Sequence, residues 1–216
     1  MRTNSSNNIT VVVPALNEEK GIQTTLEELM RLDVKEIIVV DGGSLDGTPE
    51  IAERIGARVF VEKGHGYGRA VLRGLQEAKG DFVVFIDADD SYDPNEIGKL
   101  VNILKGNVDV GAVIGSRTNF RKSIVVKFLN YTFRLFFGGL TSDVVSSFFA
   151  IRKNIMTDLV LNSLDFSLPI EIRAKLLRKG YTIIEVPVVY RPRLGEKKFK
   201  LSYGFSLLRR IIGLRF

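Results

Sequence analysis

Phe82-Val83-Val84-Phe85-Ile86-Asp87-Ala88-Asp89-Asp90 runs five consecutive apolar residues into a cluster of carboxylates. A short apolar run ended by turn-forming residues reads as a strand buried on both faces, the kind that parallel sheets contain. Side chains alternate along an extended chain, so Asp87 and Asp89 share one side if the extension continues past Ile86. Two carboxylates so placed can hold one divalent cation, Mg²⁺ or Mn²⁺, together with a diphosphate ligand. The same residues would also form a solvated acidic turn before the next helix, since Asp is common in turns. Position favours the first reading, because open α/β sheets bind ligands beyond the carboxyl ends of their strands.

Similar runs recur on either side. Strands are expected at Ile9 to Val13, Glu36 to Val40, Arg58 to Val61 and Val110 to Ile114. Helical periodicity fills the gaps at Glu19 to Arg31, Thr48 to Ile55, Gly68 to Ala78 and Asn95 to Lys105, with Gly56 and Gly80 as stops. This alternation predicts an α/β fold with a mostly parallel central sheet and helices on both faces. The second half is less regular. It carries an aromatic-rich helix at Ser123 to Phe137, a strand at Val144 to Arg152, a helix at Pro169 to Lys179 and a strand at Thr182 to Val189. A basic segment and an amphipathic end, Tyr203 to Phe216, follow.

The 216 residues suit one domain. We divide them into a ligand-binding half, residues 1–117, and a half concerned with the second substrate and a membrane surface, residues 118–216. A formal charge of +6 favours an anionic partner without choosing one. The absence of Cys removes disulfides, thiolate metal sites and Cys nucleophiles. Met1 to Asn8 is polar, with no apolar core of a secretory signal, so a cytoplasmic location is expected. No run reaches the roughly 18 apolar residues of a membrane span. Contact with the cytoplasmic face of a membrane is therefore expected to be peripheral.

Asp41, at the end of the second strand, precedes Gly42 and Gly43 and could accept hydrogen bonds from a ribose or base. Asp46 and Thr48 suit helix capping instead. Pro14, Ala15, Leu16, Asn17 and Glu18 close the first strand without the glycine fingerprint of a dinucleotide fold, which counts against an NAD enzyme. His65 reads as a loop residue.

In order, VVVPALNEE at Val11 to Glu19, VVDGGSLDGT at Val39 to Thr48, GYGRAVLRGL at Gly66 to Leu75, DADDSYDP at Asp87 to Pro94, GSR at Gly115 to Arg117 and EVPVVYRPRLGEKKFKL at Glu185 to Leu201 resemble glycosyltransferase family 2. The resemblance is strongest to its polyprenyl-phosphate glycosyl synthases, typified by dolichyl-phosphate mannose synthase, and covers most of the chain. It implies the Rossmann-like GT-A fold and an inverting, metal-dependent transfer of a hexose from a nucleotide sugar, of the GDP-mannose or UDP-glucose class, to a polyprenyl (dolichyl) phosphate. By the same resemblance Pro14, Ala15, Asn17, Glu18 and Asp41 line the nucleotide-sugar pocket, with Arg69 nearby, and Asp87, Ala88 and Asp89 complete it. Asp89 and Arg117 are the catalytic candidates. Asp87 and Asp89 are the metal ligands.

An anionic acceptor needs cations, for which Arg117, Arg193 and Lys200 are the candidates, with Arg191 and Lys198 behind them. Family members carry D-x-T-S-G-F-R before the second-half strand, whereas this chain has Asp143, Val144, Val145, Ser146, Ser147, Phe148 and Phe149. That departure touches the acceptor more than the donor. Phe128, Tyr131, Phe133, Leu135, Phe136 and Phe137, with Lys127 and Arg134 among them, suit a helix lying in a lipid interface, and equally a core helix or a dimer contact. Transfer to a glycan or other hydroxyl would need a carboxylate base, Asp143 or Asp165. A non-catalytic sugar-nucleotide-binding module is the remaining alternative. The acidic cluster at Asp87 to Asp93 and the lack of any nucleic-acid motif argue against nucleic acid as partner, and none is expected.

Overall fold

The computed structural model describes residues 8–64, 66–119, 122–139, 141–196 and 202–216. Lys198, Lys200 and His65, each named above, lie outside them. The first half alternates as expected: β1 (Ile9–Ala15), α1 (Glu19–Leu29), β2 (Glu36–Asp41), α2 (Thr48–Ile55), β3 (Arg58–Val61), α3 (Tyr67–Glu77), β4 (Phe82–Phe85), a 3₁₀ turn (Pro94–Glu96), α4 (Ile97–Gly106) and β5 (Val110–Arg117). The second half contributes α5 (Ile124–Phe137), β6 (Phe149–Arg152), α6 (Lys153–Thr157), α7 (Leu168–Arg178), β7 (Thr182–Val188) and α8 (Tyr203–Arg215).

The seven strands form one sheet in the order β3-β2-β1-β4-β6-β5-β7, parallel except for β6, which runs antiparallel to both neighbours. The continuous apolar runs follow from burial on both faces. Val11 and Val13 join Ile22, Leu26, Leu100 and Leu104 on one side, while Val12, Ile38 and Phe85 join Val71, Leu75, Ile172 and Leu176 on the other. A third cluster, with Leu129 and Phe133 of α5, Ile170 of α7 and Leu207 and Ile211 of α8, fastens the last helix to the body.

Three expectations change. The strand expected from Val144 is confined to Phe149–Arg152, because residues 143–147 bend around the buried side chains of Arg117 and Arg173 instead of pairing. Gly56 ends α2 in the left-handed conformation as expected, at φ 103°, but Gly80 is not a helix cap. A Cβ there would lie 2.7 Å from Asn8 O and Thr10 N, so its role is close approach to β1. The aromatic helix α5 also divides differently. Phe133 is fully buried and Phe136 and Phe137 are half-buried against the third cluster, whereas Ile124, Phe128, Tyr131 and Leu135 are exposed along one stripe.

Candidate active site

The carboxyl ends of β1, β2 and β4 meet at one edge of the sheet, and their loops are tied together by short hydrogen bonds. Ser44 Oγ accepts from Asn17 N at 2.8 Å, Asn17 Oδ1 accepts from Leu45 N at 2.8 Å, and Thr48 Oγ1 accepts from Glu18 N at 2.9 Å. Asn17 sits in the left-handed region at φ 50°, which Asn tolerates, and this turns the chain out of β1 towards the β2 loop. Asp41 is buried and serves its own loop, accepting from Gly43 N at 2.9 Å, Ser44 N at 2.8 Å and the Ser44 hydroxyl. Asp46 accepts from Thr48 N, the first N–H of α2, as the capping reading expects, and from Glu19 N, which braces this loop against the start of α1.

Asp87 and Asp89 follow β4 at the same edge. Asp89 is buried; its Oδ1 accepts from Ser91 N and Oγ, and its Oδ2 lies 3.1 Å from Arg193 Nη2. The Ser147 hydroxyl donates to Asp87 Oδ2 at 2.6 Å. Gly21, in the first turn of α1, makes room for this loop: a Cβ there would stand 2.7 Å from Asp89 Cα and 2.9 Å from Ala88 O. Sequence reading passed over Gly21, although a glycine inside an amphipathic helix is itself a signal of close backbone approach.

Burial, and then the neighbouring Asp89 charge, push the Asp87 carboxyl up to about 7. Among the described residues no group of three or more Asp, Glu or His side chains is arranged so that it could hold a metal ion. Two carboxylates nevertheless fit Mg²⁺ or Mn²⁺, which take one or two protein carboxylates and fill the shell with phosphate and water oxygens. Without a cation, stability should fall as pH rises from 3.8 to about 7, because the unfolded chain ionises Asp87 first. Protons compete with the cation over that range. Mn²⁺ should therefore raise the melting temperature more above neutrality than in mild acid, and equal shifts on both sides would remove Asp87 from the cation site.

The segment after β7 crosses over this edge. Tyr190 bridges to Tyr92, Arg191 N donates to Ser91 O at 2.8 Å and Leu194 N donates to Asp89 O at 2.9 Å. Arg191 pairs with Glu28, Asp90 and Asp93. Arg193 Nη2 stands 3.1 Å from both Glu18 Oε1 and Asp89 Oδ2, which puts this acceptor candidate on carboxylates expected to belong to the nucleotide-sugar pocket. Arg117 is committed elsewhere. Its Nε and Nη2 donate to the two oxygens of the fully buried Asp143 at 2.6 and 2.8 Å, and Tyr190 lies under its guanidinium. Arg69 lines a cleft with Asn162, Ser163 and α8 whose walls include none of Pro14, Asn17, Asp41, Asp87 or Asp89. Asp165, the other candidate base, accepts from Ser167 N and Oγ. Sequence reading also missed Arg173, buried beneath residues 143–147, whose guanidinium donates to the carbonyls of Pro169, Asp143 and Ser146.

A strand-end carboxylate pair on this sheet order invites comparison with sugar transferases. Residues 10–160 match the family model described as Glycosyl transferase family 2. The chain belongs to that family. It is 33% identical to the dolichol-phosphate mannosyltransferase of Pyrococcus furiosus, over 95% of this chain and 63% of that protein. It is 31% identical to the dolichyl-phosphate hexose transferase of Haloferax volcanii, over 94% of this chain and 92% of that one. Against three relatives, the Pyrococcus protein among them, the chain spans only 49% to 63% of their length. Among solved structures it resembles glucosyl-3-phosphoglycerate synthase of Mycobacterium tuberculosis in complex with Mn²⁺, uridine diphosphate and glucosyl-3-phosphoglycerate. The TM-score is 0.80 at 26% identity, covering 97% of this chain and 79% of that one. The α/β fold is thus the GT-A fold of the family 2 enzymes.

Proposed function

We propose that this family 2 glycosyltransferase moves a hexose from a nucleotide sugar to a polyprenyl phosphate at a membrane surface, with inversion. The observation that carries the reading is the Asp87–Asp89 pair at the end of β4, with Glu18 and Arg193 beside it. Asp87 and Asp89 would hold the cation, and Pro14, Ala15, Asn17, Glu18, Asp41 and Ala88 would form the nucleotide-sugar pocket around it. A bound Mg²⁺ or Mn²⁺ supplies Lewis-acid stabilisation to a leaving nucleoside diphosphate. Arg193, now shared between Glu18 and Asp89, would be the residue to meet a phosphate if a cation took over Asp89.

Asp143 is paired with Arg117, and Asp165 lines a cleft whose walls include neither Asp87 nor Asp89, so neither is placed as a base beside the carboxylate pair. An acceptor phosphate is already anionic at neutral pH and requires none. The names of the Pyrococcus and Haloferax relatives support the same acceptor class. The likeness to glucosyl-3-phosphoglycerate synthase favours a second reading, a small soluble phosphorylated acceptor. Release of nucleoside diphosphate from a panel of nucleotide sugars, with polyprenyl phosphate, with phosphoglyceric acid and with neither, separates the two. Release stimulated only by the lipid is expected. No stimulated release from any donor would leave a binding module.

Membrane contact rests on α5 and α8. Among the described residues no helix is long and apolar enough to cross a membrane. Ile124 and Phe128 of α5 and Phe205 of α8, exposed at 84%, 54% and 78%, border one apolar groove, with Lys127 and Arg134 exposed beside it. Apolar insertion and headgroup attraction then act together. Changing Phe128 and Phe205 to Ser should weaken binding to anionic vesicles at least about tenfold, each ring being worth about 1–2 kcal/mol of transfer. The melting temperature should barely move, because surface changes usually cost no more than about 0.5 kcal/mol. A variant that floats with vesicles as the parent does would take this face out of the interface.

A further inference from the structure

A second cleft of about 580 Å³ lies between the start of α3, residues 162–167 and α8. Arg69, Ser163, Ser167, Ser206, Arg209 and Arg210 line it. Among the described residues neither Arg69 nor Arg209 has an ion-pair partner, and both are exposed to the cleft and solvent. Arg210 pairs with the buried Glu171, which Lys175 also holds. Burial alone would raise the Glu171 carboxyl, but these partners and the Ser163 hydrogen bond bring it down to about 2, so it stays ionised and fixes Arg210 in place. Asp165 also faces the cleft, with its Oδ1 taken by Ser167. Four cations around the cleft, counting Lys175, therefore stand against two carboxylates.

Two polar atoms make this more than a basic surface. Arg210 Nε is buried with no hydrogen-bond partner among the described residues, and the buried Ser163 Oγ has the Glu171 carboxylate as its neighbour. A buried donor left unpaired is destabilising and calls for a ligand or water. The surrounding backbone is tightly seated. A Cβ on Gly66 would lie 2.3 Å from Leu164 O, and one on Gly68 would lie 2.6 Å from Ser163 O. Guanidinium forks and hydroxyls on such a frame match the tetrahedral oxygens of a phosphate group.

We propose that this cleft is a phosphate-binding site distinct from the donor site, with Arg69 and Arg209 as its exposed cations and Ser163 and Arg210 as its floor. It stands independently of the function proposed above. The phosphate could belong to a lipid headgroup, since Phe205 and Ile212 are exposed on the same helix, or to a soluble phosphate ester.

The test measures binding of purified protein to inorganic phosphate by calorimetry, and to phosphatidylcholine vesicles with and without phosphatidic acid by flotation. Arg209→Glu and Arg69→Gln should each weaken phosphate-dependent binding by about tenfold or more, the scale of one charge-assisted contact. Arg215→Glu, a charge reversal elsewhere on the exposed side of α8, should weaken it far less. Loss in both assays supports a site for phosphate from either source, and loss with vesicles alone supports a headgroup site. Two results overturn the proposal: Arg209→Glu binding as the parent does in both assays, or Arg215→Glu losing as much as Arg209→Glu, which would mean diffuse charge. Nucleoside diphosphate binding in the presence of Mn²⁺, measured on Arg209→Glu, should be unchanged, so failure here leaves the donor site untouched.

Discussion

Asp89→Asn should lower turnover by about three orders of magnitude while the protein keeps its fold, the scale on which removing a preorganised charge partner from a transition state is felt. Asn retains an oxygen for the Ser91 N–H and hydroxyl, so the bend after β4 survives. What disappears is the negative charge facing Arg193 and, in the proposed reaction, the cation. Asp89→Ala should lose as much activity and also some stability, because Ser91 then loses its acceptor. Asp87→Ala should weaken cation and donor binding as well, and it frees the Ser147 hydroxyl. Rates would be measured under a full titration of Mn²⁺ and Mg²⁺, with melting curves beside them. An Asp89→Asn enzyme as fast as the parent at saturating metal would show that this pair holds no catalytic cation.

The first half of the fold was legible because its inner strands are buried on both faces and its helices are amphipathic. Arg58–Val61 and Thr48–Ile55 have the expected limits, and the others differ by a few residues at their ends. The direction of β6 was not legible, since a buried four-residue strand reads alike parallel or antiparallel. Nor was the bend at residues 143–147. It exists because α7 brings the Arg173 side chain, 1% exposed, under carbonyls some thirty residues earlier in the chain, and no local pattern announces such a contact.

The carboxylates of the site were readable from their place after a strand, whereas the cations were not. Arg193 and Arg117 both looked like phosphate ligands because they are basic residues near family motifs. The fold separates them: one sits across Glu18 and Asp89, the other is paired with Asp143. Which carboxylate an arginine meets is decided by how β5, β7 and the following segment lie beside one another, a long-range property. The aromatic helix teaches the same point. Spacing assigns Ile124, Phe128, Tyr131 and Leu135 to one face, but only the packing of α7 and α8 decides that Phe133 is the buried side.

Arg117→Ala should therefore act first on stability, in contrast to the acceptor role that its motif implies. Asp143 is fully buried and receives two hydrogen bonds from this guanidinium, at 2.6 and 2.8 Å. Burial would lower the Arg117 pKa, but the hydrogen bonds and charge of Asp143 raise it overall, so the guanidinium stays charged. Removing one member of a buried pair strands the other without solvent, at a cost of about 3–5 kcal/mol. For a domain of this size that corresponds to a fall in melting temperature of roughly 10 °C. Asp143→Asn should cost less than Arg117→Ala, because an amide still accepts a hydrogen bond and leaves no buried anion. The double change, Arg117→Gln with Asp143→Asn, should recover part of the loss, since no uncompensated charge remains. A pure acceptor ligand would behave otherwise: Arg117→Ala would melt as the parent does and need far more polyprenyl phosphate for half-maximal rate. That result would overturn the structural assignment and return Arg117 to the acceptor phosphate.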